Sequence, residues 1–285
     1  MVATFLINEY FDYDTDHLNT SFHRLSGGSR VLIHGLVPKK LALYSAYCIF
    51  GLAAIIGLVI YFYFKTGPLT IPFGVLAVCI GYFYTAKPLR LSYRGMGELS
   101  IWLTCGLLAT VSGYYLQTGE VTSVISLVSL PGATSVFLLI LINEIPDIHS
   151  DSLSGKRNLA VILGKRNALL LFSFLLVGGW LNILVIIPFG IPWTTGLFSL
   201  VLLPIIVLNL LDIKRLSTSR QMLEKLSVRT MLYDHLVTFI YSAAYILAGI
   251  RASNMDRAIT IIILCYLAVF ILEGMSLLLS SKIQR

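Results

Sequence analysis

The sequence predicts an all-α fold, a multi-pass transmembrane helical bundle with about eight complete helices preceded by the end of another. Three observations indicate this class. Hydrophobic residues occupy 57% of the 285 positions, and the mean hydropathy is +0.85. Only 12% of the residues are charged, whereas soluble domains carry about 25%. Apolar segments of about 20 residues, the length of a membrane-spanning helix, recur along the chain.

The predicted membrane spans follow from these apolar segments. In chain order they are 41–64, 69–86, 97–116, 124–143, 167–188, 193–212, 233–250 and 258–280. The span 69–86 is short and contains Pro72, so we expect it to be kinked or buried within the bundle. Residues 1–7 are apolar but too few to cross a bilayer. We therefore expect the chain to begin inside a helix, with a truncated N-terminus.

The positive charges predict the orientation of these spans. If the helices alternate, all Lys and Arg residues except Lys65, Arg251 and Arg257 lie on one side of the membrane. The positive-inside rule makes that side cytoplasmic. We expect an integral protein of the cell membrane, in contact with membrane lipid, whose charged loops face the cytoplasm. The net charge of +7 reflects this topology, so no nucleic-acid partner is expected. The segment 213–232 is predicted to be an interfacial helix, with a lid as the alternative.

An acidic pattern with the same spacing occurs twice in the chain. The first ladder consists of Asn8, Asp12 and Asp16, and the second ladder consists of Asn143, Asp147 and Asp151. Each ladder begins where an apolar segment ends. Residues at i, i+4 and i+8 of a continuous α-helix advance by only about 40° per step, so each ladder is predicted to line one helix face. We expect Pro146 to weaken the helix within the second ladder.

Both ladders lie on the predicted cytoplasmic face, which indicates one site assembled from two halves of the chain. Four converging carboxylates without cations would repel one another and raise their pKa values. A divalent cation relieves this repulsion, and magnesium takes oxygen ligands, including substrate phosphates. The alternative is two ordinary solvated helix ends. Asp14, Glu9 and Glu144 lie off the shared faces. Glu9 and Glu144 are candidates to support the ligands, whereas Asp14 is expected to be solvated.

Basic residues and glycines accompany the acids. Lys156 and Arg157 follow the second ladder directly after Gly155, and Arg30 ends the run Ser-Gly-Gly-Ser-Arg that follows the first ladder. The end of the span 69–86 and the loop that follows it contribute further candidates, which are Tyr84, Lys87, Arg90 and Arg94. Acids that hold a metal beside bases and flexible glycines suit a diphosphate bridged by metal ions. The alternative for each base is a simple positive-inside anchor.

Three motifs in this order resemble those of the UbiA superfamily of intramembrane prenyltransferases. They are an Asn-x-x-x-Asp-x-x-x-Asp ladder, a Tyr-Thr-x-x-Pro-Leu…Gly-x-Gly-Glu loop and an Asn-x-x-x-Asp-x-x-x-Asp-x-x-x-Gly-Lys-Arg ladder. The resemblance covers essentially the whole chain, which implies a single transmembrane domain over residues 1–285. The run from Ser26 to Leu32, followed by Gly35 and Leu36, is similar to the 1,4-dihydroxy-2-naphthoate prenyltransferase branch, which makes menaquinone precursors.

The resemblance implies roles for individual residues. Two magnesium ions would bind the substrate diphosphate through Asn8, Asp12, Asp16, Asp147 and Asp151. The four aspartates and Lys87, which matches the family's diphosphate-binding lysine, are the implied catalytic residues. Further substrate contacts are expected from Tyr84, Arg30, Asn143, Lys156 and Arg157.

Two features depart from the family pattern. The family often has a base at the position of Ser92, so Arg90 or Arg94 is expected to take its place. The family also has one full helix and most of a second ahead of the first ladder, whereas this chain has only residues 1–7 there and an additional apolar segment at 258–280.

The implied reaction is magnesium-dependent transfer of an isoprenyl group from an allylic prenyl diphosphate to an aromatic acceptor, and the branch similarity implies 1,4-dihydroxy-2-naphthoate. Alternative acceptors are 4-hydroxybenzoate, homogentisate, a haem or a glycerol-based lipid. A cation transporter is an alternative of a different class, since intramembrane acids often mark ion pathways. It would place acids at the bilayer midplane, whereas the ladders lie at one face. The isoprenoid length and the oligomeric state are left open.

Overall fold

The computed structural model describes residues 1–18, 28–214 and 219–252. All regular elements in these ranges are helical. In chain order they are α1 (Val2–Phe11), α2 (Tyr13–Leu18), α3 (Lys39–Phe64), α4 (Thr70–Phe83), a 3-10 turn (Leu91–Tyr93), α5 (Gly97–Ile101), a π-helical segment (Trp102–Leu108), α6 (Ala109–Thr118), α7 (Ser123–Glu144), α8 (Ile148–Leu153), α9 (Leu159–Val185), a 3-10 turn (Ile187–Phe189), α10 (Thr194–Ser199), a 3-10 turn (Leu200–Leu202), α11 (Leu203–Lys214) and α12 (Arg220–Ala252).

Six helical segments in the described part of the chain are long and apolar enough to cross a membrane. They are Lys39–Phe64, Gly97–Thr118, Ser123–Glu144, Leu159–Val185, Thr194–Lys214 and Gln221–Ile250. These segments confirm the multi-pass helical fold class and correspond to six of the predicted spans. Helix α4 has only 14 residues, so it is shorter than the length of about 20 that spans a bilayer by itself. The predicted span 258–280 lies outside the described residues.

The last described helix differs from the sequence-based expectation. The predicted interfacial helix at 213–232 is not a separate element, because α11 continues to Lys214 and α12 already begins at Arg220. With 33 residues, α12 is about 50 Å long, whereas the hydrocarbon core is about 30 Å thick. One helix therefore crosses the membrane and extends beyond it. The ion pair from Arg229 Nη1 to Asp212 Oδ2, at 2.6 Å, joins α12 to α11.

Helix α7 occupies the centre of the bundle. It packs against α9, α12 and the π-helical segment, and the larger buried cluster contains side chains such as Leu138, Phe172 and Tyr233 from α7, α9 and α12. A smaller cluster around Ile7, Ala46 and Ala86 joins α1 to α3 and to the end of α4. The short N-terminal helix is thus part of the bundle, and its packing places the first ladder.

The π-helical segment approaches α7 closely at Gly106. A Cβ atom on Gly106 would overlap the Cα and Cβ atoms of Ala133, so only glycine fits this contact without movement of one helix. The sequence predicted a membrane span over 97–116, with no sign of a π-helical segment within it. The wider π-helical turns lie within the continuous helical segment Gly97–Thr118, at the place where it packs against α7.

We expect Gly106→Ala to destabilise the bundle by about 1–3 kcal/mol, the usual cost of overpacking a tight contact. The measurement is the thermal transition of the purified protein in detergent, followed by size-exclusion chromatography after heating. Gly113→Ala is the matched control, because Gly113 lies in the same helical segment, Gly97–Thr118, and has open space around it. Alanine there removes a helix-interior glycine and is expected to leave stability unchanged or slightly higher. Equal melting temperatures for the two variants would contradict the close approach.

Candidate active site

The first ladder crosses a helix break. Helix α1 ends at Phe11, Asp12 has φ −89° and ψ 2°, and α2 begins at Tyr13. The prediction of one continuous helix face is therefore wrong at this point. The hydrogen bonding nevertheless continues, because the Asp12 N–H donates to the Asn8 carbonyl and the Asp16 N–H donates to the Asp12 carbonyl, each at 2.8 Å. The ladder keeps its helical spacing although the helix bends at Asp12.

The second ladder is also divided between two helices. Asn143 lies in the last turn of α7, whereas Asp147 precedes α8 and Asp151 lies within it. Pro146 separates them, as expected, since proline has no N–H to donate. The Asp147 N–H donates to the Glu144 carbonyl at 3.1 Å, a tighter turn than in an α-helix, and the Asp151 N–H donates to the Asp147 carbonyl at 2.8 Å. The expected single helix face is thus interrupted here as well.

The two ladders meet because α2 packs against α8. Their charges act on each other. Burial, reinforced first by the charge of Asp12, raises the pKa of Asp16 to about 7, and Asp147 of the other ladder contributes. Burial also raises the pKa of Asp151 to about 6, where repulsion from Asp147 and Asp12 opposes attraction by Lys156. The ladder aspartates from both halves of the chain therefore form one acidic cluster, in which the charge of each affects the pKa of its neighbours.

This acidic cluster has the donor chemistry of a magnesium site. Its side chains offer carboxylate and amide oxygens, and their mutual repulsion is the condition that a divalent cation relieves. Within the described residues, no three His, Cys, Asp or Glu side chains already converge on one metal position. Magnesium usually takes only one or two carboxylates and completes its shell with water and substrate phosphates. The residues present therefore fit a cation that binds together with a phosphate-bearing substrate.

Lys156 brings positive charge into the acidic cluster. Its side chain is 17% exposed, and its Nζ lies 3.8 Å from Asp151 Oδ2. Burial disfavours the charged form, but the carboxylates of Asp12 and Asp151 outweigh that effect and raise the pKa of Lys156 well above its ordinary value. The ammonium group thus stays charged between the two ladders, where a diphosphate could replace water as its partner.

The bases of the loop 84–96 separate into inward and outward groups. The Arg90 guanidinium lies 3.5 Å from the centroid of the Tyr93 ring. Arg94 is exposed, and its Nη2 donates to the Pro88 carbonyl at 3.1 Å. Arg90 therefore lies nearer the site than Arg94, and the substitution of either for the base that the family often has at the position of Ser92 stays a prediction. Lys87 is exposed, and no hydrogen bond or ion pair joins it to the acids in the described ranges. Its role in binding diphosphate stays a prediction.

The same loop docks on the first ladder. The Thr85 hydroxyl is fully buried and donates to Asn8 Oδ1 at 2.9 Å. The Tyr84 carbonyl accepts hydrogen bonds from the Ser92 N–H at 2.9 Å and from the Ser92 hydroxyl at 2.8 Å. Ser92, where the family often has a base, therefore serves the loop fold. The Tyr84 phenol is neutral, half-buried and near Lys156.

Glu9 holds a glycine-containing loop over the first ladder. Its carboxylate accepts the Ser29 N–H at 2.8 Å and the Ser29 hydroxyl at 2.7 Å, and Arg30 Nη1 donates to the Asp16 carbonyl at 3.2 Å. Gly28 has φ +70°, and a Cβ there would lie 2.5 Å from Asp16 Oδ2. The predicted supporting role of Glu9 thus has a geometric basis. The beginning of the Ser-Gly-Gly-Ser-Arg run lies outside the described residues.

Glu144 has a different neighbour. Its carboxyl group lies near that of Glu98, and the Oε2 atoms of both residues are buried without a hydrogen-bond partner in the described part of the chain. Glu98 Oε1 accepts the Leu159 N–H at the start of α9, at 2.6 Å. Asn143 is half-buried, and its Oδ1 has no hydrogen-bond partner in the described part of the chain. An unpartnered buried oxygen at this position is available to a ligand.

Comparison with known proteins decides the family. A model of the UbiA prenyltransferase family matches residues 1–225. The chain belongs to this family. It is 31% identical over 206 residues to the 1,4-dihydroxy-2-naphthoate octaprenyltransferase of Bacillus subtilis, an alignment that covers 72% of this chain and 65% of the relative. The resemblance based on three motifs is thereby confirmed.

Of two further relatives of this UbiA family member, one carries the same name and one a different name. The 1,4-dihydroxy-2-naphthoate octaprenyltransferase of Haemophilus influenzae is 32% identical over 128 residues, or 45% of this chain and 42% of the relative. The digeranylgeranylglyceryl phosphate synthase of Pyrococcus abyssi is 25% identical over 214 residues, or 73% of this chain and 66% of the relative. The chain thus spans less than two thirds of the length of the first two relatives. No solved structure matches it significantly.

Sequence reasoning missed two buried residues that organise the site of this UbiA family member. Tyr93 bonds to Asp12, and Asn158 bonds to Asp151. A signal was present for Asn158, since asparagine directly before an apolar helical segment is a common N-cap. Tyr93 lies in the loop whose motif was recognised, but nothing in the spacing relates it to a residue 81 positions earlier.

Asn158 has two simultaneous partners. Its Oδ1 accepts the Val161 N–H at 2.8 Å and so caps α9, while its Nδ2 donates to Asp151 Oδ2 at 2.6 Å. The side chain is fully buried. It therefore couples the start of a membrane helix to the orientation of a ladder carboxylate.

We expect Asn158→Ala to lower prenyl transfer by about 10–100-fold, the usual effect of removing a group that orients a metal ligand. Product formation by the purified protein measures this effect. Thr122→Ala is the control, because Thr122 caps α7 by accepting the Ile125 N–H at 3.3 Å without bonding to either ladder. Both variants lose a cap at a cost of about 1 kcal/mol. If both lose activity equally, the loss reflects helix stability and the orienting role of Asn158 is contradicted.

Proposed function

We propose that this protein transfers an isoprenyl group from an allylic prenyl diphosphate to an aromatic acceptor. The observation that carries the proposal is the meeting of two acidic ladders around a charged, largely buried lysine at the end of an apolar helical bundle. Acids suit metal binding, the lysine suits phosphate, and the apolar helices suit an isoprenoid tail. We further propose that residues 1–285 form a single domain in the cell membrane, with the ladders facing the cytoplasm, as the basic loops favour.

Magnesium is the proposed cofactor. UbiA family prenyltransferases are generally metal-dependent. The residues that would hold the metal are Asn8, Asp12, Asp16, Asp147 and Asp151. When bound, magnesium supplies positive charge that neutralises the diphosphate as it leaves.

The chain's own residues would bind and orient the substrate. Lys156 lies between the ladders and would contact the diphosphate directly, which stabilises negative charge as the C–O bond breaks. Arg90 and Arg30 would extend this positive surface from the two neighbouring loops. Lys87 would contact the diphosphate from the solvent side, where it is exposed.

The remaining candidates would act at the edge of the site. Tyr84 and Asn143 would line it, while Arg94 and Arg157, both exposed, would attract the anionic substrate from solution. The isoprenoid tail would lie among the apolar helices, where water is excluded and an allylic cation survives until the electron-rich ring of the acceptor attacks it. The ring carbon that forms the new C–C bond would lose a proton or, in a ring carboxylate, carbon dioxide.

For the acceptor we propose 1,4-dihydroxy-2-naphthoate, as in menaquinone biosynthesis, because the two relatives with the highest identities reported above carry that name. A glycerol-based lipid acceptor is the second candidate, and the relative from Pyrococcus abyssi is the observation that favours it.

The deciding experiment reconstitutes the full chain in lipid nanodiscs with labelled prenyl diphosphates of several lengths. The acceptors are 1,4-dihydroxy-2-naphthoate, 4-hydroxybenzoate, homogentisate, haem and a glycerol-based lipid. We expect a prenylated naphthoquinol precursor and release of pyrophosphate, both lost with EDTA and restored by magnesium. A product with another acceptor alone would replace the proposed one. Cation uptake into vesicles without any pyrophosphate release would instead support a transporter.

A further inference from the structure

Tyr93 joins residues of the site that are far apart in the chain. It ends the 3-10 turn Leu91–Tyr93 and is 8% exposed. Its hydroxyl donates to Asp12 Oδ1 at 2.7 Å and lies 3.0 Å from Thr15 Oγ1. A tyrosine hydroxyl has one proton, and a carboxylate can only accept. Thr15 must therefore donate to Tyr93, which gives a directed chain of hydrogen bonds from Thr15 through Tyr93 to Asp12.

The ring of the same tyrosine contacts the cations of the site. The Arg90 guanidinium lies 3.5 Å from the ring centroid, and Lys156 Nζ lies 6.0 Å from it. Both distances fall within the range of cation–π attraction. The Tyr93 carbonyl also accepts the Arg157 N–H at 3.2 Å. One residue therefore contacts the first ladder, the loop 84–96 and the turn that follows the second ladder.

Asp12 depends on such a contact for its direction. It lies in the break between α1 and α2, where the helix does not restrain the side chain. The bond from Tyr93 occupies one carboxylate oxygen, Oδ1, and leaves Oδ2 available to a ligand. A tyrosine hydroxyl keeps its proton at physiological pH, so Tyr93 donates to the Asp12 carboxylate.

We propose that Tyr93 is a positioning residue of this site: its hydroxyl orients Asp12 toward the metal and diphosphate, and its ring supports Arg90 and Lys156 beside them. This inference rests on the proposed function and deepens it. It differs from a purely structural role, because it requires that loss of the hydroxyl weaken binding of magnesium and diphosphate while the bundle stays intact.

The test is Tyr93→Phe, which keeps the ring and removes only the hydroxyl. Calorimetry with the full chain in nanodiscs measures binding of inorganic pyrophosphate at several magnesium concentrations. We expect binding to weaken about 10–100-fold, as when a group that orients a metal ligand is removed, with an unchanged melting temperature. In the transfer assay, the KM for prenyl diphosphate is expected to rise by a similar factor.

Tyr115→Phe is the matched control. Its hydroxyl is also buried and accepts the Leu69 N–H at 2.9 Å, in the connection between α3 and α4. This variant is expected to lower the melting temperature without changing pyrophosphate affinity. The double variant Asp12→Ala with Tyr93→Phe adds a second check, because a residue that acts through Asp12 has no further effect once Asp12 is removed.

The outcomes separate the two proposals. Wild-type pyrophosphate affinity in Tyr93→Phe, or fully additive effects in the double variant, would overturn the positioning role while leaving prenyl transfer in place. If the wild-type protein binds magnesium and pyrophosphate, Tyr93→Phe weakens that binding, and no acceptor is prenylated, the positioning role stands and the proposed reaction fails. Absence of pyrophosphate binding by the wild-type protein would overturn both.

Discussion

Asp12→Ala is expected to lower kcat/KM for prenyl transfer by about a thousandfold or more while the protein remains folded. Asp12 lies at the point where the two ladders meet, and its charge acts on Asp16, Asp151 and Lys156. A carboxylate that holds a catalytic metal contributes several kcal/mol to the stabilisation of developing charge, and each 1.36 kcal/mol or so changes the rate about tenfold. Initial rates of product formation at saturating magnesium measure the effect.

Asp14→Ala provides the control only two positions along the chain. Asp14 is exposed and lies off the ladder, so its removal is expected to change the rate by less than about twofold, as for an ordinary surface substitution. Both variants lose one negative charge at the start of α2, which separates the effect of position from that of net charge. If Asp12→Ala kept more than about a tenth of the activity, a loss of under about 1.4 kcal/mol, the ladders would not form the catalytic site.

Lys156→Met is expected to lower kcat/KM by about 10²–10³-fold, with most of the effect on the KM for prenyl diphosphate. Methionine keeps an unbranched side chain that is one atom shorter and removes the charge. Removing one partner of a buried charge cluster costs about 2–5 kcal/mol, partly because the remaining charges lose their counter-ion. Here Asp151 would lose the ammonium that lies 3.8 Å from it. Steady-state kinetics with varied prenyl diphosphate measure the effect.

Substitution of two other lysines shows whether the effect is specific to Lys156. Lys40 is exposed at the start of α3, and Lys40→Met is expected to have little effect. Lys87 matches the diphosphate-binding lysine of the family, but it is exposed, so Lys87→Met is expected to cost less than Lys156→Met. A larger loss from Lys87→Met would show that the diphosphate is held mainly by the loop 84–96 and that Lys156 serves chiefly as a counter-ion.

The membrane spans could be predicted because the bilayer requires spanning helices of a certain length and apolar composition, and both can be recognised in a single sequence. The predicted span 124–143 is α7, Ser123–Glu144, and 41–64 is α3, Lys39–Phe64. The sequence did not predict where a helix breaks or where its turns widen into a π-helix. The break at Asp12 has no proline or glycine to signal it, and the π-helical turn at Gly106 follows from contact with α7 rather than from local propensity.

The acidic residues of the site could be predicted from the sequence, whereas the side chains that contact those acids could not. The repeated spacing of the ladders identified the metal-binding candidates, since helix periodicity relates residues that are close in sequence. The family resemblance assigned the diphosphate-binding lysine to Lys87, an assignment that stays a prediction, and the geometry adds Lys156 between the ladders. Neither spacing nor resemblance indicated the Tyr93 hydroxyl and the Asn158 amide, whose bonds to Asp12 and Asp151 depend on how separate loops return to the bundle.

The sequence by itself determined that this is a multi-pass helical membrane protein of the UbiA family with two acidic ladders on one predicted side. Hydrophobic length, charge bias and helical spacing are local properties, so a single chain displays them directly. Only the tertiary structure decided which cation and which hydroxyl meet the acids. Those contacts join positions such as Asp12 and Tyr93 across 81 residues, and they arise from the packing of α1 and α2 against helices encoded far away.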